Sequence, residues 1–137
     1  MRYILLLFLL LYALCGEAHT LKIADKAVFD VDVAQTSAEL QRGLMFVKKL
    51  PENRGMFFDL RAYSGASMWM KNTYIPLDML FVNCALYIVD IYPNAKPLSL
   101  NKISSSSDFC YVIEVLGGSA RKYNLSVGDK VFLNPSI

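Results

Sequence analysis

The chain has 137 residues, with 14 Lys or Arg, 12 Asp or Glu and one His, which gives a formal net charge of +2. The basic residues are single sites or pairs such as Lys48-Lys49 and Arg121-Lys122, so we expect no nucleic-acid partner, because such proteins carry a basic stripe. His19 is the only histidine, which excludes Ser-His-Asp and Cys-His catalysis and His-rich zinc sites.

The N-terminus has the pattern of a signal peptide. A basic start, Met1-Arg2, precedes an apolar run over 3–14, which is shorter than the roughly 20 residues of a membrane-spanning helix. We expect cleavage after Ala18, with Cys15 as the other acceptable site. The protein is then exported, periplasmic or secreted, and touches a membrane only if the leader stays uncleaved as a tether.

Residues 19–137 remain after removal of the predicted signal peptide, residues 1–18, and are enough for one domain with a core. Alternation over Val28–Val33 predicts a strand with one exposed face. Thr36 and Glu39 then form a capping box, which predicts a short helix that Gly43 ends.

Short strands with turn signals between them fill the rest of the chain. They favour a mainly β, small single-domain fold, an antiparallel β-barrel or sandwich with one or two short helices. The predicted strands are 55–60, 67–71, 77–82, 86–91, 109–116 and 130–133, and a helical turn is predicted at 118–123.

Two cysteines, Cys84 and Cys110, lie beyond the leader. An exported compartment permits a disulfide between them, but spacing does not show whether the sulfurs meet. The alternative is a pair of small, half-buried side chains. A redox or metal thiol site is disfavoured because the chain has no Cys-x-x-Cys spacing.

Two acids, Asp78 and Glu114, lie in strands that are otherwise apolar on both faces. A buried carboxylate must be paired, hydrogen-bonded or protonated, because burying it alone costs several kcal/mol. Each is therefore either a structural ion pair or backbone cap, or a binding or catalytic group. The candidate partners are Arg42, Arg61, Lys71 and the amide of Asn72.

Several motifs carry a family resemblance. They are Arg42-Gly43-Leu44-Met45-Phe46, Leu50-Pro51, Gly55-Met56-Phe57-Phe58, Trp69-Met70-Lys71-Asn72-Thr73, Ile75-Pro76-Leu77-Asp78-Met79-Leu80-Phe81-Val82, Val112-Ile113-Glu114-Val115, Gly118 and Gly128-Asp129. From about Asp30 to Leu133 the chain resembles domain-of-unknown-function family 192. The resemblance implies a small, mostly β, often exported domain without a settled activity.

This chain departs from the family pattern at two places. Val47 stands where the family commonly has arginine, so no role for that charge is carried over. The turn at Cys84-Ala85-Leu86 lacks the usual acid-glycine pair, so no glycine supplies a positive φ there.

The run 67–73 favours a non-catalytic module that binds a small polar or saccharide-like ligand. Trp69 can stack on a sugar ring or cover an apolar ligand. The other candidate ligand-binding residues are Arg42, Lys71, Asn72, Thr73, Asp78 and Glu114, which supply donors and acceptors. The competing interpretation makes Trp69 a core anchor and lets Lys71 neutralise one of the acids.

Two further functions compete with simple binding. Asp78 and Glu114 could serve a carboxylate-dependent hydrolase of envelope or saccharide substrates, provided that both face one cleft. Soft thioethers also suit Cu(I), although methionines at strand spacing are usually core residues. The methionines concerned are Met45, Met56, Met68, Met70 and Met79. We assign no catalytic residue, metal ligand or cofactor.

Overall fold

The computed structural model of the protein describes residues 18–137, so the predicted leader, apart from Ala18, lies outside the described residues. Within residues 18–137, no helix has the length and apolar run that a membrane crossing needs. The strands there are β1 (His19–Ile23), β2 (Ala27–Ala34), β3 (Arg54–Asp59), β4 (Leu77–Val82), β5 (Ile88–Ala95), β6 (Tyr111–Leu116) and β7 (Val131–Asn134), and the helices are α1 (Ser37–Arg42) and α2 (Ser119–Lys122).

The strands form one curled sheet in the order β5-β4-β6-β3-β2-β1-β7. Its two outer strands meet at one end, where Ile88 N donates to Asp129 O (3.0 Å) and Val131 N donates to Leu86 O (2.8 Å). β2 and β3 are parallel because α1 carries the chain back between them, and the other neighbours are antiparallel. The predicted small, mainly β domain is therefore confirmed.

Apolar side chains cover both faces of the central strands, so the sheet separates two cores. The strand core receives side chains from all seven strands, Leu80 and Ile113 among them. The loop-covered core lies on the other face and holds Phe81 and Val112. Because successive residues point to opposite faces, β4 is buried along its whole length.

The predicted capping box and the end of α1 are confirmed. Glu39 N donates to Thr36 Oγ1 (3.2 Å), and Thr36 N donates to Glu39 Oε1 (3.0 Å). Gly43 follows the helix with a φ of +46° and lies against the Phe58 ring. α1 is therefore attached to the loop-covered core through Leu40 and through the turn at Gly43, while the capping box is local to the helix.

The predicted strand at 67–71 is wrong. Only Met68 pairs there, with Ile103, and Met70 N donates to Ser99 O (3.1 Å). The expected alternation persists, since Met68 and Met70 are buried and Trp69 is exposed. A loop at 96–103, rather than a strand, is the partner of this segment. β1 was not predicted.

The turn between β4 and β5 forms without a glycine. Leu86 takes the positive φ (+67°), and the Asn83 side chain accepts from Ala85 N (3.1 Å) and Tyr87 N (2.9 Å). Cys84 in this turn forms a disulfide with Cys110, with the Cα atoms 5.0 Å apart. Of the two sequence interpretations for the cysteines, the bridge is therefore the correct one.

Candidate functional site

A cleft of about 530 Å³ opens on the loop-covered side of the sheet. α1 and the turn after it form one wall, and the loop that follows β3 forms the other. Most of the lining is apolar, which suits the carbon skeleton of a small ligand. The apolar lining residues are Leu40, Leu44, Met45, Phe58, Leu60, Ala66, Met68 and Trp69.

Glu114 is the one carboxylate of this lining. It lies in β6 opposite Met56 of β3 and Met79 of β4, so its strand neighbours are thioethers rather than cations. The side chain is buried, and no described residue forms an ion pair with it. Desolvation by this burial raises the pKa of Glu114 to about 8. At neutral pH the group is therefore a carboxylic acid, which can donate a hydrogen bond into the cleft.

Three cations line the same cleft: Arg42 at the end of α1, Lys71 beside Trp69, and Lys102 from the loop before β6. None of them forms an ion pair with an acid among residues 18–137. Because Glu114 is neutral at pH 7, the cleft has a net positive charge. An anionic group is the complementary ligand group.

Trp69 is a wall of the cleft rather than a core anchor, since 44% of its surface is exposed. The Lys71 ammonium lies 5.1 Å from the centre of the Trp69 ring, a cation–π arrangement. Lys71 does not pair with Asp78 or Glu114. The competing interpretation, a core tryptophan and a neutralising lysine, is therefore wrong on both points.

Thr73 and Asn72 have different positions. Thr73 is buried, lines the cleft and donates from Oγ1 to Lys71 O (3.0 Å). Asn72 lies outside the lining, takes a φ of +52° and accepts from Phe46 N through its carbonyl (2.8 Å). The structure thus places five of the seven candidate residues at the cleft and leaves out two, Asn72 and Asp78.

Asp78 is a buried structural carboxylate. Its Oδ1 accepts from Asn94 N (2.8 Å) and Gly118 N (3.2 Å), and its Oδ2 accepts from Ala120 N (2.8 Å). It therefore caps the first turn of α2 and ties that turn to the end of β5. Of the two interpretations of this acid, the backbone cap matches the structure.

The two acids do not share a cleft. Asp78 of β4 lies opposite Val115 of β6, and the next residue of β4, Met79, lies opposite Glu114. Since successive side chains point to opposite faces, the carboxylates are separated by the sheet. The cleft therefore contains only one of the two carboxyl groups that a carboxylate-dependent hydrolase would need.

Of the five methionines considered for copper, Met45 and Met68 line the cleft, and the other three lie outside its lining. Met68, Met70 and Met79 are buried in the loop-covered core. His19 lies in β1, where its Nδ1 is 2.8 Å from Pro135 O. Within residues 18–137 no group of three or more His, Cys, Asp or Glu side chains is placed to hold a metal.

Sequence reasoning missed the side of the cleft that α1 and the loops supply. Nothing in the sequence around Lys102 marks it as a site residue, because it comes to the cleft only through the pairing of Met68 with Ile103. The missed lining residues include Leu40, Gln41, Leu44, Tyr63, Ser64 and Lys102.

Comparison with known families and structures gave matches that cover most of the chain. The family described as Uncharacterized ACR, COG1430, matches residues 19–133. A protein of unknown function from Novosphingobium aromaticivorans DSM 12444 is 34% identical, with 84% of this chain and 83% of that chain covered and a TM-score of 0.77. A "putative transcription regulator" from Sinorhizobium meliloti 1021 is 30% identical, with coverages of 85% and 93% and a TM-score of 0.75. No curated protein matched.

Proposed function

The chain belongs to domain-of-unknown-function family 192, and we propose that it is a non-catalytic module that binds a small ligand in the cleft between Trp69 and Glu114. The ligand has an apolar body and one anionic group, a carboxylate or a phosphate. The observation that carries this proposal is Glu114, which is buried, forms no ion pair with any of residues 18–137, and is part of the cleft lining.

The apolar body is inferred from the walls. Trp69 and Met45 are open to the cleft, and the buried Phe58 closes its sheet side. A cleft of about 530 Å³ has the size of ordinary small-molecule sites. A ligand that covers these side chains gains the hydrophobic free energy of the covered area.

The anionic group is inferred from the charges. Arg42, Lys71 and Lys102 supply donors that no acid in the described chain occupies. The neutral Glu114 adds an O–H donor rather than a repelling charge. A saccharide-like ligand would use Trp69 but leave these cations unmatched, so we favour the acid over the neutral sugar.

Three ligands that share one chain length test this assignment. Octanoate, octylamine and octyl glucoside carry the same apolar tail with an anionic, a cationic or a neutral head. Trp69 is the only tryptophan of the chain, so its fluorescence reports events at the cleft. We expect octanoate to change this fluorescence at the lowest concentration. Equal or tighter binding of octylamine, or no response to any of the three, contradicts the proposal.

A set of charge variants separates specific contacts from general attraction. Lys102→Gln and Arg42→Gln should each weaken octanoate binding about three- to tenfold, since each removes one charged contact. Lys22→Gln is the matched control, because Lys22 lies in β1 and lines no part of the cleft. Calorimetry is the suitable readout, because it does not depend on the tryptophan.

We also propose that the protein acts outside the cytoplasm. The Cys84–Cys110 disulfide supports this, because such bridges persist mainly in oxidising compartments. Mass spectrometry of the protein from its native host tests it. Removal of residues 1–18 together with an oxidised cysteine pair is expected, and a full-length chain with two free thiols contradicts it.

A further inference from the structure

Three segments, 40–51, 61–77 and 91–107, come together around the cleft, and they are loops apart from the end of α1, Leu77 of β4 and the last residues of β5. Their backbones are joined by hydrogen bonds from Phe46 N to Asn72 O (2.8 Å), from Leu98 N to Thr73 O (3.1 Å) and from Met70 N to Ser99 O (3.1 Å). One end of the molecule is therefore built from parts of the chain that are distant in sequence.

The charge of these segments is of one sign. They hold seven of the 14 Lys and Arg residues, and the nearest acids, Glu39, Glu52, Asp59, Asp78, Asp90 and Asp108, lie at or just beyond their ends. Arg61 forms an ion pair with Asp59 of β3, and the other six cations form none among residues 18–137. The six are Arg42, Lys48, Lys49, Lys71, Lys96 and Lys102.

The same segments present large apolar side chains to solvent. Phe46 is 50% exposed, Leu98 56% and Leu100 65%, and Trp69 and Tyr74 are exposed beside them. The Phe46 and Tyr74 rings meet edge to face with centroids 6.3 Å apart. Single exposed apolar residues are ordinary, whereas a cluster of them among cations indicates a contact surface.

The backbone holds two of these side chains in an uncommon conformation. Phe46 and Leu98 both have a φ of +66°, a region that bulky residues rarely adopt. Each is held there by its backbone bond to the Asn72–Thr73 turn. Leu86 has nearly the same φ in the β4–β5 turn, so this conformation shows how the two side chains are held outward and is not by itself a sign of function.

We propose that this surface, the basic–apolar face, docks on an anionic lipid bilayer. We define it by the apolar residues Phe46, Trp69, Tyr74, Leu98 and Leu100 and by the six unpaired cations. Aromatic rings and leucines enter the headgroup and acyl boundary, lysines extend to lipid phosphates, and the cleft then faces the membrane. From the sequence we expected membrane contact only through an uncleaved leader. The basic–apolar face would provide a second means of membrane contact.

Two other occupants fit the face less well. A nucleic acid would use the cations and rings, but Leu98 and Leu100, the most exposed apolar residues of the face, neither stack on bases nor bind phosphate. A second copy of the chain would bring six unpaired cations against another six, and like charges oppose such an interface.

Insertion of Trp69 into vesicles tests the proposal on the full chain. Brominated acyl chains quench a tryptophan that contacts them, and Trp69 is the sole tryptophan. The quenching therefore reports contact of this face even if the leader binds lipid by itself. We expect quenching by phosphatidylcholine vesicles that contain phosphatidylglycerol and little with phosphatidylcholine alone. Raising the salt concentration should weaken the anionic-vesicle signal, because it screens the cations.

Phe46→Asn with Leu98→Asn is the decisive variant. Asparagine tolerates positive φ, so the double variant removes the apolar groups while keeping the turns, and neither residue lines the cleft. We expect partitioning into anionic vesicles to fall at least about tenfold. Phe132→Asn is the matched control, because Phe132 is also 50% exposed but lies in β7, and its partitioning should not change.

Each remaining outcome is decisive. Equal quenching by neutral and anionic vesicles, or equal loss in the Phe132→Asn control, overturns bilayer docking. Binding of a single-stranded oligonucleotide that survives Phe46→Asn/Leu98→Asn points to a nucleic acid instead, and a dimer in sedimentation that this variant abolishes points to a second copy. Octanoate binding in the cleft is measured on the same variant, so a failure of docking and a failure of the proposed cleft function are distinguishable.

Discussion

Asp78 and Glu114 show two ways in which one protein accommodates a buried carboxyl group. Asp78 is surrounded by three backbone N–H donors, which replace the water that a carboxylate loses on burial. No backbone N–H of residues 18–137 donates to the Glu114 carboxyl group, which is accommodated by keeping its proton. The first arrangement completes a fold, and the second leaves a polar group free for a ligand.

Glu114 gives the stability of the protein a defined pH dependence. Its pKa is about 8 in the folded protein against 4.5 for the ordinary group, so its stabilising effect is full below about pH 4.5. It is lost as the pH rises towards 8, because the unfolded chain releases the proton first. At about 1.4 kcal/mol per pKa unit, the loss between pH 4.5 and 8.5 is at most about 5 kcal/mol.

Urea denaturation of the wild type and of Glu114→Gln over this pH range measures the effect. The variant cannot ionise here, so we expect its free energy of unfolding to change by several kcal/mol less between pH 5 and 8.5. Parallel curves for the two proteins would show that Glu114 is ionised at neutral pH, and the argument for a neutral donor would fail.

Asp78→Asn should destabilise the fold by about 2–4 kcal/mol, because the amide nitrogen would face the Ala120 N–H with no acceptor. Asp32→Asn is the matched control, since Asp32 lies in β2 of the same sheet with an exposed side chain, and we expect less than about 0.5 kcal/mol there. Chemical denaturation measures both. Octanoate binding should survive Asp78→Asn, and its loss in a folded variant would place Asp78 in the site.

Much of the residue-level assignment could be predicted. The burial of both acids was predicted from β4 and β6, because each acid lies among apolar residues in a strand that is apolar on both faces. It could not show which acid had donors, since those of Asp78 come from Asn94, Gly118 and Ala120, which are 16 to 42 residues away. The separate roles of the two acids therefore emerged only from the tertiary structure.

At the scale of elements, local signals predicted those that depend on local chemistry. The Thr36 capping box and β4 were predicted correctly because a cap and a short apolar run are both defined by a few consecutive residues. The segment 67–71 alternates like a strand, yet it pairs at one residue only, because its neighbour is a loop. Sequence alternation reports burial on one side and does not identify the hydrogen-bonding partner.

The disulfide links two elements and should stabilise both. It joins the β4–β5 turn to the start of β6 across 26 residues. In the chain-entropy model, removing a bridge that closes a loop of this size costs about 3–4 kcal/mol of stability. We expect Cys84→Ser/Cys110→Ser to lower the free energy of unfolding by about that amount. Dithiothreitol should destabilise the wild type and leave the variant unchanged. Equal behaviour of the two proteins under reducing and oxidising conditions would argue against the bridge.

At the scale of the whole molecule, charge distribution matters more than net charge. The formal charge of +2 is small, and the basic residues are scattered along the sequence. Folding brings several of them together, because the pairing of 67–73 with 96–103 places Lys71, Lys96 and Lys102 in neighbouring segments. This concentration could not be predicted from the sequence, since it depends on which loops meet.

The central claim is that the cleft holds an amphipathic anion, and methionine-methyl NMR tests it most directly. Met45 and Met68 line the cleft, whereas Met70 and Met79 are buried outside its lining. On titration with octanoate at pH 7, we predict saturable shifts of the Met45 and Met68 methyl signals, small shifts for Met70 and Met79, and no comparable effect of octylamine. Unchanged Met45 and Met68 signals at saturating octanoate, or equal shifts with the amine, would contradict the account.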